Sequence, residues 1–398
     1  MSKEKEYYIG LMSGTSIDNI DGILIAIGKE GIDIVATCQE SWPAMTANLL
    51  HALCQKSDNE LEKIYEASLA VAHREATLVR KLLKKANLEP GDITAIGSHG
   101  QTVRHHPDKH YSAQLDSGPF LANITEIDTV FDFRMADLAN DGQGAPLTPV
   151  FHQLMLSQKG VYRFVLNLGG IANLTVINDK GQIVAGYDCG PANTLIDLAC
   201  RELFDKPYDK GGKLAAKGKV DEKLITELFL RHQDFFYMSH PKSTGRELFN
   251  IKSIEKELKL CRDGKYPKHD LIATLAAFSV RAAVNELMKF DSIEQPKRKE
   301  LVLCGGGANN PFIIDLFGRY LSKWNFKIER SSDLGIDVDY FEAQAFAYFA
   351  YLFVHGISLD LGSITGARKK SLLGCLAPSS QGFYAKSRSR SKGSKSKK

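Results

Sequence analysis

No stretch of this 398-residue chain approaches the ~20 consecutive apolar residues that a membrane helix requires, and its first six residues, Met1 to Glu6, contain no apolar leader core. Membrane insertion and export are therefore not expected, and a cytoplasmic location is. The seven cysteines (38, 54, 189, 200, 261, 304 and 375) are scattered, odd in number and form no CxxC pair. That spacing argues against a disulfide framework and a zinc site, and fits a reducing compartment. No GxxxxGK[ST] occurs, which excludes a P-loop. Nor does the first strand run into a helix through GxGxxG, which argues against a dinucleotide-binding unit. The histidines at 105, 106 and 110 lack metal-ligand spacing and read as surface residues. Acid is absent from the last 18 residues, Gln381–Lys398, which hold seven Lys/Arg; the net charge of +4 thus leaves about −3 (4 − 7) on the rest. This tail has nothing to bury and is expected to be disordered. Nonspecific attraction to nucleic acid is the most its charge implies.

With 43% apolar and 25% charged residues, the composition is that of a soluble globular protein, and the length suggests two domains. Its most informative stretch is Ile9-Gly10-Leu11-Met12-Ser13-Gly14-Thr15-Ser16-Ile17-Asp18-Asn19-Ile20-Asp21-Gly22. A β-prone run enters a loop of small hydroxylated residues and a second β-prone run leaves it. Such a hairpin offers backbone N–H groups and hydroxyls to an oxyanion, and Asp18 and Asp21 stand where a phosphate-bound Mg²⁺ would want oxygen ligands. Ordinary turn chemistry accounts for the same composition.

The β-prone runs 7–11, 23–27 and 32–38 are followed by helical periodicity over about 46–86 and a strand at 93–97 that delivers Ser98-His99-Gly100-Gln101-Thr102. A run at 129–133 ends in Arg134. Much the same order returns: strands at 164–168, 174–177 and 183–187, helices over about 192–203, 221–230 and 269–288, and a buried strand 301–303 entering Cys304-Gly305-Gly306-Gly307. A last helix, 342 to about 355, finishes the fold. The repeat is one of topology and not of residue identity. It predicts an α/β protein of two lobes with a nucleotide between them. Lobe 1 spans 1–140, with 341–370 returning to it, and lobe 2 spans 141–340.

Nine motifs occur in one order: Ser13 to Asp18, Ser98 to Thr102, Asp132-Phe133-Arg134, Gly142 to Leu147, Asn167 to Asn173, Asp188-Cys189-Gly190-Pro191, Pro241 to Glu247, Cys304 to Ala308 and Glu342-Ala343. Together they resemble the anhydro-N-acetylmuramic acid kinases of the actin, hexokinase and Hsp70 superfamily, over roughly residues 7 to 357. The resemblance implies a two-lobed actin/hexokinase-like (ribonuclease H-like) fold with an interlobe ATP and sugar cleft. It implies a cytoplasmic homodimer that uses ATP and Mg²⁺ in peptidoglycan recycling. The 1,6-anhydro ring of 1,6-anhydro-N-acetylmuramic acid would be opened by water while O6 is phosphorylated, giving N-acetylmuramate 6-phosphate and ADP. Three departures stand out. Asn19 replaces a usual Gly, Gln114-Leu115-Asp116-Ser117-Gly118 replaces Gln-Ile-Gly-Asp-Pro, and Cys189 and Ala192 replace Thr and Gly in a motif that keeps the carboxylate.

That chemistry needs a base for water, an aligned γ-phosphate and positive charge. The resemblance points to Asp188, at a strand end, as the base; helix capping near Ala192 is the structural alternative. His99, placed on a strand-end loop, Arg134 and Glu342 are the implied sugar contacts. The nucleotide would lie against Gly14, Thr15, Ser16, Ile17, Asp18, Asn19, Ile20 and Asp21, against Asn167, Gly169 and Gly170, and against Gly305, Gly306 and Gly307. Asp18 is the implied Mg²⁺ partner, through water. Lys242 to Arg246 read as a basic patch on a loop that orders on closure. Two other readings share the fold: a kinase for another sugar, and an actin- or chaperone-like ATPase that acts through a partner.

Overall fold

The computed structural model describes residues 5–14, 17–240, 242–245, 248–294, 297–334, 336 and 340–382. Thr15, Ser16, Arg246, Glu247 and the basic tail from Phe383 onward lie outside the described residues. The chain divides into two compact units. Unit 1 holds Met1–Gly144, Asp339–Gly362 and Gly366–Lys398; unit 2 holds Ala145–Val338 and Ser363–Thr365.

Unit 1 opens with β1 (Lys5–Ser13), β2 (Asn19–Gly28) and β3 (Gly31–Ser41), an antiparallel meander. The expected single helix is two, α1 (Ala44–Leu53) and α2 (Glu60–Ala86). The polar run 54–59 separates them, and the break is held from both sides. Ser57 N–H donates to Glu60 Oε1, while Arg104 donates to Gln55 O and pairs with Glu60 at 2.6 Å. β4 (Ile93–His106) is far longer than expected. Its first half pairs in parallel with β1 and β6 (Thr129–Phe131), and its second half pairs antiparallel with β5 (Tyr111–Leu115). α3 (Gly118–Thr125) and α4 (Met135–Leu138) complete this part of the unit.

Unit 2 begins with α5 (Thr148–Leu156) and a second meander, β7 (Tyr162–Leu168), β8 (Ile171–Ile177) and β9 (Ile183–Pro191). Helices α6 (Thr194–Phe204), α7 (Glu222–Arg231), α8 (Gln233–Tyr237), α9 (Glu255–Arg262) and α10 (Lys268–Glu294) follow. The unit closes with β10 (Lys299–Cys304), α11 (Pro311–Leu321) and β11 (Phe326–Arg330). α10 is long and apolar enough to cross a membrane over Lys268–Asp291, but 83% of the most apolar 18 residues of that span are buried. It is the central helix of the unit 2 core, with Leu271, Leu275, Phe278 and Leu287 inside.

The chain then returns to unit 1 as α12 (Phe341–Val354), passes α13 (Gly362–Thr365) and goes on to β12 (Cys375–Ala377). α12 was expected to finish the fold; instead β12 adds an antiparallel edge strand to β6. α12 lies against β1 and β4 at Gly10 and Gly97. A Cβ at Gly10 would sit 1.9 Å from Ala343 O, and one at Gly97 would sit 2.1 Å from Phe346 O. Only hydrogen at these positions lets helix backbone touch sheet backbone.

Both sheets have the same plan. Unit 1 orders its principal strands β6-β4-β1-β2-β3, and unit 2 orders β11-β10-β7-β8-β9. In each, the first strand pairs antiparallel with the second and parallel with the fourth, and the fourth pairs parallel with the fifth. This is the duplicated mixed sheet of the actin/hexokinase class.

Candidate functional site

In unit 1 the β1–β2 hairpin is tied down from behind. Ser13, 1% exposed at the end of β1, donates from Oγ to Gln101 Oε1 at 2.6 Å and accepts from Trp42 Nε1 at 3.2 Å. Gln101 Nε2 then donates to the Gly14 carbonyl at 3.2 Å. The loop is thus fastened to β4 just where it leaves the sheet. Ile17 anchors its far side with 3% exposure and a left-handed φ of 59°. Asp18 projects into solvent and Asn19 starts β2. Ile20 is buried in the core, which assigns it to packing. Asp21 is half-buried and accepts from Gln39 Nε2 at 2.8 Å.

His99 is not on a loop. It lies inside β4, 3% exposed, with its ring 4.6 Å from that of Phe346. Nδ1 is 2.9 Å from the Gly100 carbonyl, so it carries the proton, and Nε2 accepts from Arg134 at 2.8 Å. Burial, with the Arg134 cation adding to it, keeps the imidazole pKa well below its ordinary value. His99 is therefore a neutral orienter of Arg134. Arg134 sits one turn beyond β6, at the start of α4, and donates also to Gly144 O at 2.8 Å. Glu342, in the first turn of α12, keeps some solvent contact. Burial raises its carboxyl pKa; the Arg134 charge opposes this and Asp21 adds to it. Glu342, Arg134, His99 and Asp21 thus share one electrostatic neighbourhood.

Behind them lies a set of carboxyls that sequence reasoning passed over. Glu75 on α2 is 1% exposed and accepts from Ser98 Oγ at 2.6 Å, leaving Oε2 without a hydrogen-bond partner. Burial pushes its pKa up to about 7. Asp116, within the departing segment 114–118, is raised well above the carboxylate range by burial and by the charges of Glu75 and Asp132. Nothing local in the sequence marks Glu75, since helical periodicity alone places it on the inner face of α2. His105 is half-buried, against the surface reading. It hydrogen-bonds Ser112 Oγ at 2.9 Å, and burial lowers its pKa to about 4.

In unit 2 three residues form a polar row across the sheet. Asn167 on β7 pairs with Asn173 on β8, which pairs with Asp188 on β9, so the three side chains share one sheet face. Asn173 Oδ1 is buried with no hydrogen-bond partner, a signal that only strand register could have shown. Asp188 lies within β9 and not at its end. It does not cap α6, whose N-cap is Asn193; its Oδ2 accepts from Thr244 N–H at 2.9 Å and its own N–H donates to Lys242 O at 3.1 Å. Thr244 Oγ1, beside it, is buried without a hydrogen-bond partner. Lys242 is no surface patch: it is 3% exposed and paired with Glu286 at 3.0 Å.

The β7–β8 turn, Gly169–Gly170, is bolted to the start of α6. Its carbonyls accept from Asn193 N–H, Thr194 N–H, Asn193 Nδ2 and Thr194 Oγ1 at 2.7–3.1 Å. Gly305, at φ +74°, would place a Cβ 2.2 Å from Asn167 Oδ1, and Gly307 would place one 2.7 Å from Leu168 Cβ. Those two glycines are required by packing on the hairpin. Gly306 faces open space and is the one of the three free to meet a ligand.

The model of the family "Anhydro-N-acetylmuramic acid kinase" matches residues 6–379. A Shewanella sp. (strain ANA-3) anhydro-N-acetylmuramic acid kinase is 38% identical over 372 residues, covering 93% of this chain and 98% of that protein. The Bordetella pertussis protein of the same name is 39% identical, covering 93% and 96%. Among solved structures, the activator of the 2-hydroxyisocaproyl-CoA dehydratase from Clostridium difficile with bound ADPNP covers 87% of this chain and 94% of its own. Its TM-score is 0.45 at 14% identity, too remote a likeness to bear on the chemistry.

Proposed function

The chain belongs to the anhydro-N-acetylmuramic acid kinase family and is a kinase of that kind; we propose that it opens and phosphorylates the anhydro sugar with Asp188 as the base. Water attacks C1 of 1,6-anhydro-N-acetylmuramic acid and gives its proton to Asp188. The C1–O6 bond breaks, O6 takes the γ-phosphoryl group, and ADP departs. No separate acid is needed, because O6 passes directly to phosphorus. The observation that carries this reading is the Asn167–Asn173–Asp188 row, in which a carboxylate held by Thr244 N–H ends a line of amide side chains.

Arg134, oriented by neutral His99, is suited to the sugar's lactyl carboxylate, since guanidinium meets carboxylate in bidentate fashion. Glu342 is suited to a sugar hydroxyl. Gly14 and Asp18 with the Gly169–Gly170 turn and Gly306 are assigned to the nucleotide. Among the described residues no three His, Cys, Asp or Glu side chains gather into a metal cage. Asp18, exposed at the hairpin, fits instead a Mg²⁺ that keeps its waters and arrives with ATP. Such an ion neutralises phosphate charge. We place the enzyme in the cytoplasm as a homodimer, where ATP is available and its free cysteines stay reduced.

Turnover of the anhydro sugar with ATP in oxygen-18 water, followed by mass spectrometry, tests the reaction. One heavy oxygen is expected at the anomeric position and none in the phosphate. An unlabelled sugar phosphate, or label on phosphorus, would overturn it.

A further inference from the structure

Glu286 on α10 is 2% exposed and carries three partners. Its Oε1 takes the ammonium of Lys242 at 3.0 Å, Oε2 accepts from Tyr187 OH at 3.0 Å, and Lys289 reaches Oε2 at 2.8 Å. The Lys242 side chain is itself fully buried, donates also to Phe235 O at 3.3 Å, and lies 4.6 Å from the centroid of the Phe235 ring. Burying such a pair costs desolvation that its mutual attraction only partly returns, so stability alone is a weak reason for it. Its placement suggests another.

Tyr187 and Asp188 are successive residues of β9, so their side chains point to opposite faces of the sheet. Glu286 holds Tyr187 on the inner face. On the other, Asp188 is gripped at two points by the segment that Lys242 anchors: Asp188 N–H donates to Lys242 O, and Thr244 N–H donates to Asp188 Oδ2. One buried carboxylate therefore fastens the strand bearing the proposed base and also the loop that aims it.

We propose that Lys242, through its ion pair with Glu286, is a positioning residue that holds Thr244 N–H against Asp188 and so fixes the carboxylate's direction. This rests on the reading of Asp188 as the base.

The test is the double variant Lys242→Met/Glu286→Gln, which removes both charges of the buried pair and keeps an amide oxygen to accept from Tyr187 OH. A misaimed base costs on the order of 10²-fold in rate. The kcat is expected to fall at least 30-fold, on that scale, with KM for ATP within about twofold and an unfolding midpoint close to wild type. Lys242→Arg, which keeps the charge, should recover most of the rate. If the double variant does not fold, Thr244→Pro, which removes the N–H donor, should show the same fall, with Thr244→Val as the control for the lost hydroxyl. A folded variant with kcat within about threefold of wild type, or one that changes KM alone, overturns the proposal. Asp188→Asn, assayed alongside, separates the two ideas. If it is inactive while the double variant is normal, only the anchoring role fails; if it is active, the base assignment fails and this role with it.

Discussion

The two sheets share a strand order but use it differently. At matching places in the two meanders, unit 1 aligns Met12, Asp21 and Gln39 across its first three strands, and unit 2 aligns Asn167, Asn173 and Asp188. The carboxylate stands on the middle strand in one and on the third in the other. The hairpins differ too. Unit 1 spans 14–18 between its strands and fastens that loop through Ser13 and Gln101, whereas unit 2 turns on Gly169–Gly170 alone and fastens it to a helix start. One duplicated scaffold thus offers two distinct polar edges, and chemistry follows side chains and loop lengths more than strand order.

The sharpest way to break this comparison is to exchange charge for amide at the two carboxylates. Asp188→Asn should lower kcat by about 10³-fold or more, in the range of a lost general base, with ATP binding intact by calorimetry. Asp21→Asn, already hydrogen-bonded to Gln39, should cost about tenfold or less, the worth of one hydrogen bond. Equal losses would mean that the asymmetry carries no chemistry. Next in size is packing. Gly97→Ala drives a Cβ into the α12 backbone and should destabilise unit 1 by about 3 kcal/mol. Gly306→Ala meets nothing and should leave the denaturant midpoint unmoved, with any effect confined to KM for ATP.

Periodicity and turn chemistry made the strand and helix order readable where an apolar run is bounded by Gly or Asn, as at Gly28, Asn87, Gly169 and Gly305. The motif residues were equally readable as a set. Tertiary matters were not. The length of β4 depends on β5 pairing with its second half, and a short run such as Cys375–Ala377 becomes a strand only because β6 offers an edge. The break between α1 and α2 is fixed by Arg104, distant in sequence. Asn173 and Thr244 matter through register and a backbone bond to Asp188, neither of which has a local signature.

A subtler difference is charge held neutral. Unit 1 buries Glu75 beside Asp116, both with raised pKa values. An acid whose folded pKa lies above its unfolded value keeps a proton that the unfolded chain gives up. Its contribution is therefore present below about pH 4.5 and lost as pH rises toward about 7. Wild type should lose on the order of 1–3 kcal/mol of stability between pH 5 and 7.5 relative to Glu75→Gln, measured by urea unfolding at each pH. Parallel curves for the two proteins would show that Glu75 is ionised throughout.

The smallest effect concerns how each hairpin is held. Gln101→Ala removes the acceptor for Ser13 Oγ and the donor to Gly14 O, two bonds at the base of the unit 1 loop. Each is worth roughly 1 kcal/mol, so KM for ATP should rise by up to about 30-fold while kcat changes little, because Asp188 lies in the other unit. Asn193→Ala removes two Nδ2 bonds to the carbonyls of Leu168 and Gly169, yet the backbone bonds from Asn193 and Thr194 remain. Its KM should rise less. A larger effect at Asn193 than at Gln101 would reverse the inference that the longer loop depends more on its side-chain ties.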